Sequence, residues 1–190
     1  MPRLLDLHTW PRRGTYEYFR GFGNPYFNVC LRLDLTGLVA LRPRLPGSLT
    51  LAYHHLALRA ANEEASFRYR FDPGGGVRVL EQVHGSMTVL QPDESIAFAR
   101  LPWLADYPGF AAAAWPRVQA AQRGEQPFDP ADDHEALVHF TTWPWVDFSS
   151  FSHARRLGDA DGIPKIAFGR LSQDQGRWHM AMAVEVHHAL

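Results

Sequence analysis

The side chains best suited to acid–base chemistry are two adjacent histidines near the end of the sequence, in Val186-His187-His188-Ala189-Leu190. An imidazole titrates close to neutrality, so it can take a proton from a hydroxyl and return it later in the same reaction. The run before the pair alternates, with Met180, Met182, Val184 and Val186 interleaved with His179, Ala181, Ala183 and Glu185. In a strand this spacing puts His188 on the face of the apolar side chains, aimed into the interior, and His187 on the other face. The competing reading is a core histidine satisfied by hydrogen bonds to its surroundings.

Other chemistry-bearing groups are weaker. A metal site from His179, His187 and His188 is disfavoured because the last two point to opposite faces of one strand. His54 and His55 are neighbours on a helix, where adjacent residues do not face the same way, so packing or solvation accounts for them better than a shared ion. Asp132, Asp133 and Glu135 could hold a cation, but a solvated charge cluster in a loop is the simpler account. Cys30 is alone, which rules out an intrachain disulfide and fits a small buried hydrophobe in a reducing compartment. The sequence has no Gly-x-Ser-x-Gly, no complete Gly-x-Gly-x-x-Gly and no Cys-x-x-Cys, so a nucleophile elbow, dinucleotide binding and structural zinc have no support.

The elements that must position the histidines follow from periodicity. Arg12 to Arg20 reads as a short helix closed by Gly21, Gly23 and Pro25, and Tyr26 to Asp34 as a strand. Ser48 caps a helix through Leu51, His55, Leu58 and Ala61. Strands at Phe67 to Phe71 and Val77 to Val83 flank Asp72-Pro73-Gly74-Gly75-Gly76, a hairpin turn rather than a phosphate loop because no helix follows it. Met87 to Leu90 is the next strand. A helix lies within Tyr107 to Arg123, and Pro108 and Pro116 argue that it starts late or is kinked. Residues Gly124 to Glu135 form a surface loop. The rest is β-rich: Ala136 to Thr142, Phe148 to Phe151, Ile166 to Leu171 and Trp178 to His188. Without a regular βαβ repeat, the expected class is α+β, a two-layer sandwich with a mixed or antiparallel sheet.

Composition narrows the function classes. The 190 residues, 46% of them hydrophobic and 21% charged, suit one domain with one core over residues 1–190. A formal net charge of -1 and the lack of a basic, aromatic-laced run exclude nucleic acid as the expected partner. The charged N-terminal segment is too short for a signal core and no stretch reaches membrane-spanning length, so a soluble cytoplasmic protein without a membrane partner is expected.

With the strands placed, several segments resemble the chloramphenicol acetyltransferase family, in its order and across essentially the whole chain. They are Trp10-Pro11-Arg12-Arg13 with Tyr16-Glu17-Tyr18-Phe19-Arg20, Asn62 before Phe67-Arg68, Met87-Thr88-Val89, Pro144-Trp145-Val146-Asp147-Phe148 with Ser150-Phe151, Ile163-Pro164, and Val186-His187-His188-Ala189. The resemblance implies an acetyl-CoA-dependent O-acetyltransferase without a metal. His188 would be the general base for a small hydroxylated acceptor such as chloramphenicol. Thr141 stands where the family has an oxyanion-stabilising serine. The acceptor pocket would draw on Tyr18, Phe19, Phe98 and Phe151, with Phe19 replacing a tyrosine. Arg170 keeps one of the family's cationic coenzyme A contacts, and Ser48 occupies the position of another. The family also implies a homotrimer with active sites between subunits.

The family motif is His-x-x-x-Asp-Gly, and the sequence given ends two residues after its histidine. The aspartate that would pair with Arg12, and the helix that follows, are therefore expected to be missing. Two expectations stand side by side: a shortened form of an acetyltransferase, or an inactive trimeric relative kept for binding.

Overall fold

The computed structural model describes residues 3–125, 134, 136–155 and 161–190. Its N-terminal half runs β1 (Arg3–Leu4), α1 (Arg13–Phe19), β2 (Tyr26–Asp34), α2 (Thr36–Leu41), α3 (Leu49–Glu63), β3 (Tyr69–Phe71) and β4 (Val77–Val79), with short 3-10 turns at Arg42–Arg44 and Ala65–Arg68. It continues with β5 (His84–Leu90), β6 (Ile96–Leu101), α4 (Tyr107–Gln122), β7 (Leu137–Thr142), β8 (Lys165–Asp174) and β9 (Arg177–His187).

Local chemistry explains most boundaries. The Ser48 side chain accepts the Leu51 N–H at 3.2 Å and so starts α3. Asp106 does the same for α4 through Gly109 at 2.7 Å. Pro108 falls in the first turn of α4, where its missing N–H has no helical partner to lose, so the helix does not start late. Pro116 lies within it. The β8–β9 hairpin turns on Gln175 (φ 47°) and Gly176 (φ 78°), two left-handed residues whose twist matches the strands they join. Residues 148–151, expected as a strand, are irregular. Their aromatic rings pack on the sheet instead of entering its ladder.

The main sheet has six strands in the order β2-β9-β8-β7-β5-β6, and a second sheet has three, β1-β4-β3. β7 is parallel to both β5 and β8, and the other pairs of the main sheet are antiparallel, so the sheet is mixed. Helices α3 and α4 cover one face. Phe140, Phe168, Ile166, Met87, Ala99 and Leu101 from the strands meet Leu51, Leu58, Phe110, Ala114 and Val118 from the helices in one buried cluster. This is the expected α+β two-layer arrangement. Asn62 anchors the end of α3 to the approach of β5: its amide donates to Leu58 O at 2.9 Å and Val83 O at 3.0 Å and accepts from Val83 N at 2.9 Å. Among the described residues no helix is long and apolar enough to cross a membrane.

Candidate active site

Strand β9 carries the histidine pair to the sheet's outer side, next to the edge strand β2, with Val186 opposite Phe27 and His187 opposite Tyr26. The strand ends at His187. His188 keeps the face expected from alternation, shared with Val184 and Val186. It is exposed rather than aimed into the interior, because α3 and α4 do not reach this corner of the sheet. Its imidazole stacks on Phe19 at 4.2 Å and 10°, with Phe27 against it at 4.5 Å. Tyr18, 67% exposed, meets Phe19 edge-on at 5.0 Å. The histidine stands at a cavity of about 280 Å³ lined also by Arg12, Phe27, Ser66, Val186 and Leu190.

Arg12 is half-buried and holds several contacts. Its guanidinium donates to Leu190 O at 3.1 Å and Ser66 Oγ at 3.3 Å, and lies over the rings of Trp10 and Tyr69 at 5.0 and 5.5 Å. Ser66 in turn donates to Glu64, whose carboxyl is held below its ordinary value chiefly by the Ser66 N–H and hydroxyl and less by Arg12. Arg12 thus joins the cavity wall to the Ala65–Arg68 turn.

The other expected site residues lie elsewhere. Phe140 faces the helices, so Thr141 faces away from them, and Thr141, Ala167, Ala183 and Cys30 stand side by side across four strands. On the far side of β7, Met87 opposes Phe140, which aligns Thr88, the partner of Phe98, with Thr141. Phe98 and Thr141 therefore share the face without helices, above a floor of small side chains. Phe151 joins them through the segment that crosses this face: it contacts Phe148 at 5.2 Å and His153 at 4.8 Å, and Arg170 N–H fastens the segment by donating to Val146 O at 2.8 Å. The Arg170 side chain is exposed on β8.

The pocket expected from Tyr18, Phe19, Phe98 and Phe151 is thus divided within one chain. Thr141 is level with Ala183, five residues before His188 and two strands away, so the two side chains are roughly 19 Å apart at ordinary strand spacings. They also lie on opposite faces. Tyr18, Phe19 and Arg12 belong with His188, and Phe98 and Phe151 belong with Thr141.

Several residues around the histidines were not legible as site residues. Phe27 comes into play only through the β2–β9 register, which no local pattern reveals. Glu185, 4% exposed, is paired with Arg155 and lies 3.3 Å from His153 Nδ1. Burial pushes its carboxyl up, and His153 and Arg155 more than offset that, holding it below the usual range. A lone carboxylate on the small-residue face of an apolar strand was the available signal. His187 is buried, and burial lowers its ring to about 4. His54 and His55 are core side chains, hydrogen-bonded to Thr50 O at 2.8 Å and Leu104 O at 3.0 Å. Among the described residues no three His, Cys, Asp or Glu side chains are grouped to hold a metal ion. Asp132, Asp133 and Glu135 lie outside the described residues.

A family model for chloramphenicol acetyltransferase matches residues 3–190. A chloramphenicol acetyltransferase of Streptomyces acrimycini is 26% identical over 189 residues, covering 99% of this chain and 86% of that protein. One from Vibrio anguillarum is 24% identical over 191 residues, with the same coverage of 99% and 86%. A solved chloramphenicol acetyltransferase superposes with a TM-score of 0.88 at 25% identity, covering 100% of this chain and 91% of that one. The dihydrolipoamide acetyltransferase of Azotobacter vinelandii shares the fold, with a TM-score of 0.69 at 14% identity over 87% of this chain and 74% of that one.

Proposed function

The chain belongs to the chloramphenicol acetyltransferase family, which makes it an acyltransferase-family enzyme, and from that premise we propose that it moves the acetyl group of acetyl-CoA to a hydroxyl of chloramphenicol or a similar small molecule. His188 is the general base. One ring nitrogen takes the hydroxyl proton as the oxygen attacks the thioester carbonyl, with no acyl-enzyme between. The tetrahedral oxyanion accepts a hydrogen bond from the Thr141 hydroxyl. Collapse breaks the C–S bond, and the imidazolium returns its proton to the departing thiolate, a role worth about 10²–10⁴-fold in rate.

The observation that carries this reading is the exposed His188 imidazole, stacked on Phe19 at 4.2 Å at the mouth of a cavity, with no hydrogen-bond partner for its ring among the described residues. A base must be free to meet its substrate. The separation of His188 from Thr141 supports a second part of the proposal: the enzyme is a homotrimer, and each site joins the His188 side of one subunit to the Thr141, Phe98 and Phe151 side of its neighbour. Trp143 and Trp145, 45% and 65% exposed in one chain, lie on the surface such a neighbour would cover. Arg170 meets the phosphates of coenzyme A, and Tyr18 and Phe19 line the acceptor side. Chloramphenicol resistance in the cytoplasm is the corresponding role.

Purified protein with acetyl-CoA and a panel of small alcohols including chloramphenicol should release free thiol. His188→Ala should stop that release while oligomer and fold persist, and unchanged turnover would end the proposal. No transfer by the wild-type chain would leave the inactive binding module.

A further inference from the structure

The transferase chemistry gives no task to the buried histidine that precedes His188. His187 is 2% exposed and is closed in edge-on by Tyr26 at 4.8 Å and Phe71 at 4.7 Å. Its Nδ1 accepts the Ala189 N–H at 3.1 Å. Leu190 N–H donates to His187 O at 3.1 Å, and His188 N–H to Pro25 O at 2.9 Å. A side-chain acceptor at one residue taking the N–H two residues on is the geometry of an Asx-turn, here built by a histidine. His188 is the residue in the middle.

We propose that His187 is a positioning residue for His188: its Nδ1 holds the Ala189 N–H and thereby fixes the turn from which the His188 imidazole projects onto Phe19 and Phe27. This rests on the reading of His188 as the base. A ring nitrogen that accepts an N–H carries no proton, so the single proton of neutral His187 is on Nε2. Burial keeps the ring in that state by lowering its affinity for a second proton; of the charged groups around it Asp161 opposes this and Arg155 reinforces it. The walls are themselves fixed. Arg155, paired with Glu185, lies over Tyr26 at 3.3 Å, and the Tyr26 hydroxyl donates to Asp161 at 2.8 Å. Burial and Asp161 hold that phenol protonated.

Two variants separate positioning from packing. His187→Phe keeps a ring between Tyr26 and Phe71 but has no acceptor. His187→Asn loses the ring but offers Oδ1 to the same N–H. In His187→Phe the Ala189 amide should exchange about fivefold faster, the loss of one ordinary hydrogen bond, and the upfield ring-current shift of the His188 protons over Phe19 should collapse. Its kcat should fall by about 10- to 100-fold with KM for acetyl-CoA unchanged. His187→Asn should recover most of all three. In the wild type, long-range ¹⁵N spectra should show His187 as the Nε2–H tautomer from pH 5 to 8. The proposal is overturned if His187→Phe leaves the His188 shift and Ala189 exchange at wild-type values, or if His187→Asn is no better than His187→Phe. An inactive wild type would remove the transferase reading, while the ring shift and amide exchange would still decide whether His187 sets the turn.

Discussion

Removing the proposed base and the proposed oxyanion donor in different chains should give back activity that neither chain has alone. His188→Ala should lower turnover by about 10²–10⁴-fold, and Thr141→Ala by about 10²–10³-fold. The two groups are roughly 19 Å apart on opposite faces of one sheet, so the proposed site takes the imidazole from one subunit and the hydroxyl from the next. In a ring of three assembled at random from equal amounts of both variants, a site is intact when the Thr141→Ala chain supplies the imidazole and the His188→Ala chain supplies the hydroxyl. That ordered pair occurs at about one interface in four. Co-expression with two tags and tandem purification isolates mixed oligomers, native mass spectrometry establishes their composition, and thiol release from acetyl-CoA gives the rate. The expected rate per site before enrichment is about a quarter of wild type. If mixed oligomers form and the rate stays at the sum of the two parents, the division of the site between subunits is wrong.

Three further outcomes test the scaffold. Arg155→Ala leaves Glu185 buried without its cation, and the melting temperature should fall by an amount equivalent to about 3–5 kcal/mol; a shift below about 1 kcal/mol would mean that the pair is solvated. Asn62→Ala removes three hydrogen bonds and leaves the Val83 N–H without its acceptor, so urea unfolding should show a loss of about 2–3 kcal/mol. His54 is fully buried, and burial lowers its ring to about 4. Its unfolded value is near 6.5, so the contribution is complete above that pH and is lost as pH falls towards 4, a span of about 3 kcal/mol. His54→Leu should therefore flatten the acid limb of stability between pH 7 and 4, measured by thermal melts; an unchanged limb would place the acid-sensitive group elsewhere.

The sequence made some of this architecture readable and concealed the rest. Alternation from Tyr26 to Asp34 gave β2 to the residue, and Ser48 marked the start of α3 because a hydroxyl there has a specific donor to satisfy. Strand β6 has little sequence signature because its core-facing positions include Ala97 and Ala99, too small to stand out against their neighbours. Phe148 and Phe151 carry the β propensity of a strand, yet they serve as a lid of rings on the sheet face, which propensity does not distinguish. For the site, the parity of His188 was readable and its exposure was not. Exposure depends on where α3 and α4 stop, and the pairing of Phe27 with Val186 depends on a register between segments more than 150 residues apart.

Strand β9 acts as a ruler. Its ladder with β2 runs in unbroken register past the small residues Ala181 and Ala183 and the buried Glu185 to His187, where the histidine turn begins. Insertion or deletion of a single residue between Ala183 and Glu185 would exchange the two faces of everything beyond it, placing a carboxylate among apolar neighbours and turning the His188 imidazole the wrong way. Natural or engineered diversification of this corner of the sheet is therefore confined to substitutions at constant length, or to paired insertions that move the imidazole in steps of about 6.6 Å.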